Sequence, residues 1–122
     1  MRRAALLALV LSTGCATLKG YDGPAQSNAD VATIAADARF NAGLPVVVAL
    51  RKVDDRVVGI GYSKVALEPG RHQLLIDCTV KEWHTINRFP LTVDVEAGAH
   101  YRLTAELEPG NRACQDIHVE RH

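Results

Sequence analysis

Short alternating runs of apolar and polar side chains, separated by turn residues, constrain the fold of this chain most. Residues 91–95 and 101–107 alternate strictly, which indicates strands with one buried face. A valine-rich run occupies residues 45–53, and further runs occupy residues 56–60, 62–67 and 72–80. Turn-forming pairs separate several of these runs, namely Asp54-Asp55 and Pro69-Gly70. We therefore predict an all-β fold, a small antiparallel β-sandwich of about seven strands over residues 30–122.

The start of this domain is ambiguous in sequence. Apolar residues between 31 and 40 lie at helical spacing, and Asp30 could cap a helix there. Val31 to Ile34 would serve equally as a short first strand. The sequence is compatible with either a helix or a strand in this segment.

The first fifteen residues have the pattern of a bacterial lipoprotein signal. Arg2 and Arg3 precede a wholly apolar stretch at residues 4–11, and small residues at 12–14 lead to Cys15. Eight apolar residues are too few for a membrane span, which needs about 20. We predict a signal peptide at residues 1–14 and lipidation of Cys15.

Two expectations follow for the anchored protein. Ala16 stands where an aspartate commonly signals retention in the inner membrane, so we predict an outer-membrane lipoprotein on the periplasmic face. Residues 15–29 contain glycine, proline, serine and asparagine without a sustained period, and we interpret them as a flexible tether.

The charge balance excludes nucleic acid as an expected partner. Loss of residues 1–14 would leave 12 basic and 14 acidic residues, without the basic surface of a nucleic-acid binder. Attraction to anionic lipid by charge alone is also not expected. We therefore expect the protein to bind the membrane through the lipid on Cys15.

The cysteine count predicts one disulfide. With Cys15 lipidated, Cys78 and Cys114 form an even pair in an oxidising compartment. Cys78 shares the apolar face of Leu74 and Ile76, so it should point inward. Cys114 has the wrong parity for the core, so we expect it just before the last strand, with the register broken there.

Several segments resemble the PEGA-type module of bacterial envelope proteins. The resemblance lies in Val53-Asp54-Asp55-Arg56, in residues 65–74 (VALEPGRHQL) and in Glu96 to Leu103, which is similar to a segment of small proteobacterial lipoproteins. It covers about residues 45–105, with Asp55 in place of the usual hairpin glycine. It implies an immunoglobulin-like sandwich at the cell envelope and no catalytic residues.

The sequence contains no motif typical of an enzyme, and we predict no catalytic residue, cofactor or metal. Two histidine patterns could provide metal ligands. His72 and His100 occupy equivalent places after their turns, and His118, Glu120 and His122 share one face of the last strand. Solvated surface side chains explain both patterns more simply.

Two functional classes remain. One is a non-enzymatic envelope module that binds a protein partner or the cell wall. The other is a periplasmic ligand-binding protein or hydrolase inhibitor that uses a loop at 79–90. Residues 79–90 discriminate between the two classes, and the candidate binding residues in that loop are Lys81, Glu82, Trp83 and His84. An exposed Trp83 would favour a binding loop, and a buried one a scaffold.

Overall fold

Ten strands make up almost all of the regular structure. The computed structural model describes residues 16–36, 38–41, 44–59 and 61–122. The strands are β1 (Ala16–Lys19), β2 (Ala32–Ala35), β3 (Ala38–Asn41), β4 (Leu44–Val53), β5 (Arg56–Val57), β6 (Tyr62–Leu67), β7 (Gly70–Val80), β8 (Thr85–Val95), β9 (His100–Leu107) and β10 (Cys114–Arg121). A single 3₁₀ turn, Lys81–Trp83, lies between β7 and β8. No helix in the described ranges is long and apolar enough to cross a membrane.

The strands form two sheets that pack as a β-sandwich, which confirms the predicted fold class. Sheet one has the order β1-β6-β2-β9-β10, and sheet two has the order β3-β4-β7-β8 with β5 beside β4. The predicted number of strands, about seven, was too low, because the four shortest strands carry too little sequence pattern. The sandwich is also not wholly antiparallel, since β1 pairs with β6 and β2 pairs with β9 in parallel.

The core lies between the sheets and comes from alternate positions of each strand. On β7 the core side chains are Leu74, Ile76, Cys78 and Val80, on the face that the alternation predicted. Sheet one supplies Ile34, Val65, Leu67 and Leu103, each at most 1% exposed. Because both inner faces are aliphatic, close packing between the sheets is the main stabilising contact.

The ambiguous segment at 31–40 is extended. Residues 32–35 form β2 between β6 and β9, and residues 38–41 form β3 on the edge of sheet two. Asp37, between them, lies outside the described residues. The helical spacing was coincidental, because Ala32, Ile34 and Ala35 are buried by sheet neighbours instead.

The predicted tether at 15–29 needs correction. Residues 16–19 form the edge strand of sheet one, and the ring of Tyr21 is buried, with its hydroxyl accepting the Gln26 N–H at 2.9 Å. Asp22 forms an ion pair with Arg56. The segment is therefore part of the sandwich as far as residue 22, whereas residues 23–30 run exposed over its surface.

One bridge fixes sheet two to sheet one near the end of β7. The sulfur atoms of Cys78 and Cys114 lie 2.00 Å apart, at disulfide distance, in agreement with the predicted pair. Cys114 is the first residue of β10, and the register with β9 shifts between Cys114 and Asp116. This β-bulge turns Cys114 inward, as its parity required.

Candidate functional site

The tip of the β7–β8 hairpin carries the predicted binding residues. Only residues 81–84 lie outside the strands, so the expected loop at 79–90 is a tight turn between two eleven-residue strands. His84 has a φ of 53°, in the left-handed region, and closes the turn with its N–H on the Lys81 carbonyl. A short turn on long paired strands presents its side chains with little freedom.

Trp83 is exposed on this turn and is held by an arginine. Its side chain is 46% exposed, and the Arg112 guanidinium lies 4.6 Å from the ring centroid. The Thr85 hydroxyl donates to the Arg112 carbonyl, which fixes the backbone of that arginine as well. A cation–π contact of this kind at an exposed site contributes about 0.5–1 kcal/mol.

The disulfide stiffens this arrangement. Cys114 follows Arg112 by two residues, and Cys78 precedes the turn by three. Both halves of the Trp83–Arg112 contact are thus covalently linked a few residues away. Ile86, 67% exposed, is the second residue of β8, beside the turn. We call residues 81–86 together with Arg112 the tip surface.

Sequence reasoning missed Arg112 and Ile86. A signal for Arg112 was present, because a Cys78–Cys114 bridge brings the residues before Cys114 close to those after Cys78. Ile86 is an apolar residue at an outward position of a strand, and the alternation of β8 shows this only once its register is known.

The histidines lie in separate surface contacts. His72, on sheet two, contacts Asp54 Oδ2 at 2.7 Å, and His100, on sheet one, contacts Thr33 Oγ1 at 2.6 Å. They therefore do not face each other across neighbouring strands. Burial acts to raise the pKa of Asp54, but the Gln73 N–H and the His72 ring together leave it below the ordinary value.

One cluster of potential metal ligands among the described residues spans β9 and β10 and is formed by Glu106, Asp116 and His118. It differs from the chelating edge weighed in the sequence, which combined His118 with Glu120 and His122. His118 Nε2 lies 2.9 Å from Glu106 Oε2, and this hydrogen bond is the main cause of a raised His118 pKa. All three side chains are exposed, and an ion pair accounts for their proximity.

A buried carboxylate lies on the opposite side of sheet two from the core. Asp77 is 6% exposed, and arginines from both neighbouring strands contact it. Arg88 donates from Nε to Oδ1 at 2.8 Å and from Nη2 to Oδ2 at 3.1 Å, whereas Arg51 donates from Nε to Oδ2 at 3.0 Å. The Arg88 hydrogen bonds are the main reason that the pKa of Asp77 is lowered, although burial opposes them.

Sequence reasoning also missed this cluster. Arg51 occupies the bulge where the β4–β7 register shifts between Leu50 and Lys52, so its direction could not be read from alternation. Asp77 alternates with Ile76 and Cys78, and this pattern alone does not distinguish it from a solvated surface carboxylate.

Cys15, the predicted lipidation site, lies outside the described residues. A scan against protein-family models and searches of curated proteins and of solved structures returned no match. The resemblance to PEGA-type modules therefore stays a prediction.

Proposed function

We propose that this protein is a non-enzymatic module of the cell envelope that is anchored through Cys15 and binds a partner with its tip surface. The observation that carries the proposal is the display of Trp83, held against Arg112 on a turn that the disulfide braces. Tryptophan and arginine dominate binding energy at protein interfaces, and a rigid presentation lowers the entropy lost on binding. A protein partner fits this chemistry better than the cell wall.

The N-terminal pattern supports the anchor. A charged start, an apolar stretch and small residues before Cys15 are what lipoprotein processing uses. Two or more acyl chains would hold the protein stably at the outer membrane, on the periplasmic face, where one chain would be marginal.

The chemistry of the described side chains supports a role without catalysis. Ser63 is one of two serines beyond the signal, and its hydroxyl oxygen is buried with no hydrogen-bond partner among the described residues. A nucleophilic serine would need a base within hydrogen-bond reach. The histidines with described contacts lie at the surface, where each is explained by its own ion pair or hydrogen bond.

The alternative, a ligand binder or hydrolase inhibitor, depended on a protruding loop at 79–90. Strands occupy all of this segment except residues 81–84. The geometry therefore favours recognition by a compact surface over insertion of a long loop into a cleft.

Capture of the partner from native envelopes by purified, lipidated protein tests the proposal. The partner would be identified by mass spectrometry and its affinity measured with both purified components. We expect Trp83→Ala to weaken that affinity at least tenfold, and Tyr62→Ala, which removes another exposed aromatic ring, to leave it within twofold. Equal effects of the two substitutions would refute the assignment to the tip surface.

Fractionation of cells tests the anchor separately. Cys15→Ser should prevent incorporation of labelled palmitate and release the protein from the membrane fraction. A Cys15→Ser protein that stayed wholly membrane-bound and correctly processed would show that lipidation is not the anchor.

A further inference from the structure

We propose that Arg51 and Arg88 form a receptor for a carboxylate of the partner, carried by an extended peptide segment that lies across the outer face of sheet two. This inference rests on the proposed binding function and names the chemistry of what is bound. Its basis is the cluster around Asp77, the one polar residue among the buried side chains of the described ranges.

The two guanidinium groups have donors to spare. A guanidinium has five N–H donors. Asp77 accepts two from Arg88 and one from Arg51. The remaining donors include both terminal nitrogens of Arg51, whose side chain is 46% exposed, while that of Arg88 is 59% exposed. Asp77 thus binds some of the N–H donors of each guanidinium group. The remaining donors belong to side chains that are about half exposed to solvent.

The cluster also keeps an excess of positive charge. Two arginines share one carboxylate, and Lys52 pairs with Leu75 one step along the same face. By contrast, Arg71 on this face has its own carboxylate, Asp94, at 3.4 Å. An additional anion bound to Arg51 and Arg88 would therefore neutralise the positive charge that Asp77 alone does not compensate.

A role in stability alone explains the cluster less well. Replacing a buried ion pair by apolar residues of similar volume often leaves a protein equally stable or more so. Here the carboxylate instead fixes the directions of two arginines, one of them aimed by a β-bulge. Fixed, paired guanidinium groups are suited to bidentate recognition of carboxylates.

Apolar surface flanks the arginines in the spacing of a β-strand. Leu75 and Pro90 lie two residue pairs from Asp77 and Arg88, on the same face and beside a depression of about 410 Å³. Ile86 lies two residue pairs away in the other direction, at the tip surface. Alternate residues of an extended peptide are about 6.6–6.8 Å apart, as are alternate residues on this face. A carboxylate with apolar side chains two residues to either side therefore matches the face.

Titration with defined peptides tests the inference. The probe is acetyl-Leu-Thr-Asp-Thr-Leu-amide, its control is the same peptide with asparagine, and inorganic phosphate is a third ligand. The readout is the NMR signal of each arginine Nε–Hε group in the complete protein. We expect saturable shifts at Arg51 and Arg88 with the aspartate peptide, and binding at least fivefold weaker for the asparagine peptide.

Variants separate the receptor from general positive charge. Arg51→Gln leaves the Arg88–Asp77 hydrogen bonds in place and should weaken binding of the aspartate peptide at least fivefold. The matched control, Arg71→Gln, removes the same charge from the same face and should change it less than twofold. Circular dichroism would confirm that both variants are folded.

Several results would overturn the inference: equal binding of both peptides, equal effects of Arg51→Gln and Arg71→Gln, no binding at all, or binding of phosphate without the peptide. The proposed function fails separately. If Trp83→Ala abolished capture of the natural partner while the aspartate peptide did not bind, the tip surface would stand and the carboxylate receptor would not. If instead the aspartate peptide bound but Trp83→Ala left capture of the natural partner unchanged, the carboxylate receptor would stand and the tip surface would not.

Discussion

At the scale of single residues, Gly20 shows how closely the N-terminal segment approaches the sandwich. A Cβ atom at this position would lie 2.7 Å from Leu67 Cδ2, 2.8 Å from Val65 Cγ1 and 2.9 Å from the Ala66 carbonyl oxygen. The Gly20 N–H also donates to that carbonyl at 2.8 Å. There is therefore no room for a side chain unless the segment moves away from β6.

We predict that Gly20→Ala lowers the free energy of unfolding by about 1–3 kcal/mol, because overpacking forces the backbone apart. Urea unfolding followed by circular dichroism measures it. Gly59→Ala is the matched control, since its Cβ would meet only Tyr62, no closer than 3.8 Å. A neutral Gly20→Ala would restore the flexible-tether interpretation of this segment.

A second prediction at this scale concerns the pH dependence of the stability that Asp77 contributes. Its pKa is lower in the folded protein than in the unfolded chain, chiefly because Arg88 donates to the carboxylate. Its contribution to stability is therefore present above the unfolded value of about 3.8 and is lost as pH falls through the folded pKa. At pH 7 we expect Asp77→Asn to destabilise the protein by about 1–3 kcal/mol.

Urea unfolding of both proteins at pH 7, 4 and 2.5 checks this sign. The difference in stability between them should shrink at the lowest pH. Asp94→Asn, which removes a carboxylate from an exposed ion pair with Arg71, should change stability by less than about 0.5 kcal/mol. A difference that grew towards low pH would contradict the lowered pKa of Asp77.

At the scale of elements, strands with clear alternation were predictable, whereas the shortest strands and the first half of β8, which was expected in the loop at 79–90, were not. The alternation in β9 persists for eight residues, and on β7 the apolar residues Leu74, Ile76, Cys78 and Val80 share one face, so the sequence identifies the buried face of both strands. The four residues of β1 or β2 carry no such pattern. They become strands because β6 and β9, which are distant in sequence, provide hydrogen-bonding edges.

The two β-bulges explain what remained unpredictable at the binding surfaces. An inserted residue reverses the alternation, so the directions of Arg51 and Cys114 depend on the register of neighbouring strands. Cys114 was still predictable because the cysteine count required a partner for Cys78. Arg51 had no such second constraint, and the cluster around Asp77 was missed.

The disulfide allows a third prediction, for the element that presents Trp83. It closes a loop of 36 residues, and in the chain-entropy model its reduction lowers stability by about 4 kcal/mol. We expect the reduced protein to unfold at a clearly lower urea concentration. We also expect greater mobility of the Trp83 ring, measured by fluorescence anisotropy of this single tryptophan.

Alkylation of the reduced thiols with iodoacetamide separates loss of the bridge from loss of the cysteine side chains. The reduced, alkylated protein and the double variant Cys78→Ala/Cys114→Ala should both be less stable, the latter also through lost packing of a fully buried side chain. If reduction left both stability and anisotropy unchanged, the bridge would not brace the tip surface.

At the scale of the whole molecule, the position of β1 sets how far the domain can stand from its anchor. β1 begins at Ala16, directly after the predicted lipidation site. Each of the two longest strands, β7 and β8, spans about 36 Å at 3.3 Å per residue. If Cys15 carries the lipid, we predict a protein layer about 40 Å thick on a supported bilayer.

Neutron reflectometry of the lipidated protein measures this thickness. A free tether of fourteen residues could add up to about 45–50 Å, so the two arrangements differ clearly. A control protein with fourteen glycine and serine residues inserted between Cys15 and Ala16 should give the thicker, more diffuse layer. Equal thickness for both proteins would show that residues 16–19 detach from the sandwich at the membrane.

The parallel pairing of β1 with β6 also determines when β1 can join its sheet during synthesis. Ala16 is made early, but its partner Tyr62 follows 46 residues later. At about 5–20 residues per second, that delay is roughly 2–9 s. During this interval β1 lacks its partner strand β6. If Cys15 is lipidated, as the sequence predicts, its acylation would have to precede or compete with the pairing of β1 with β6.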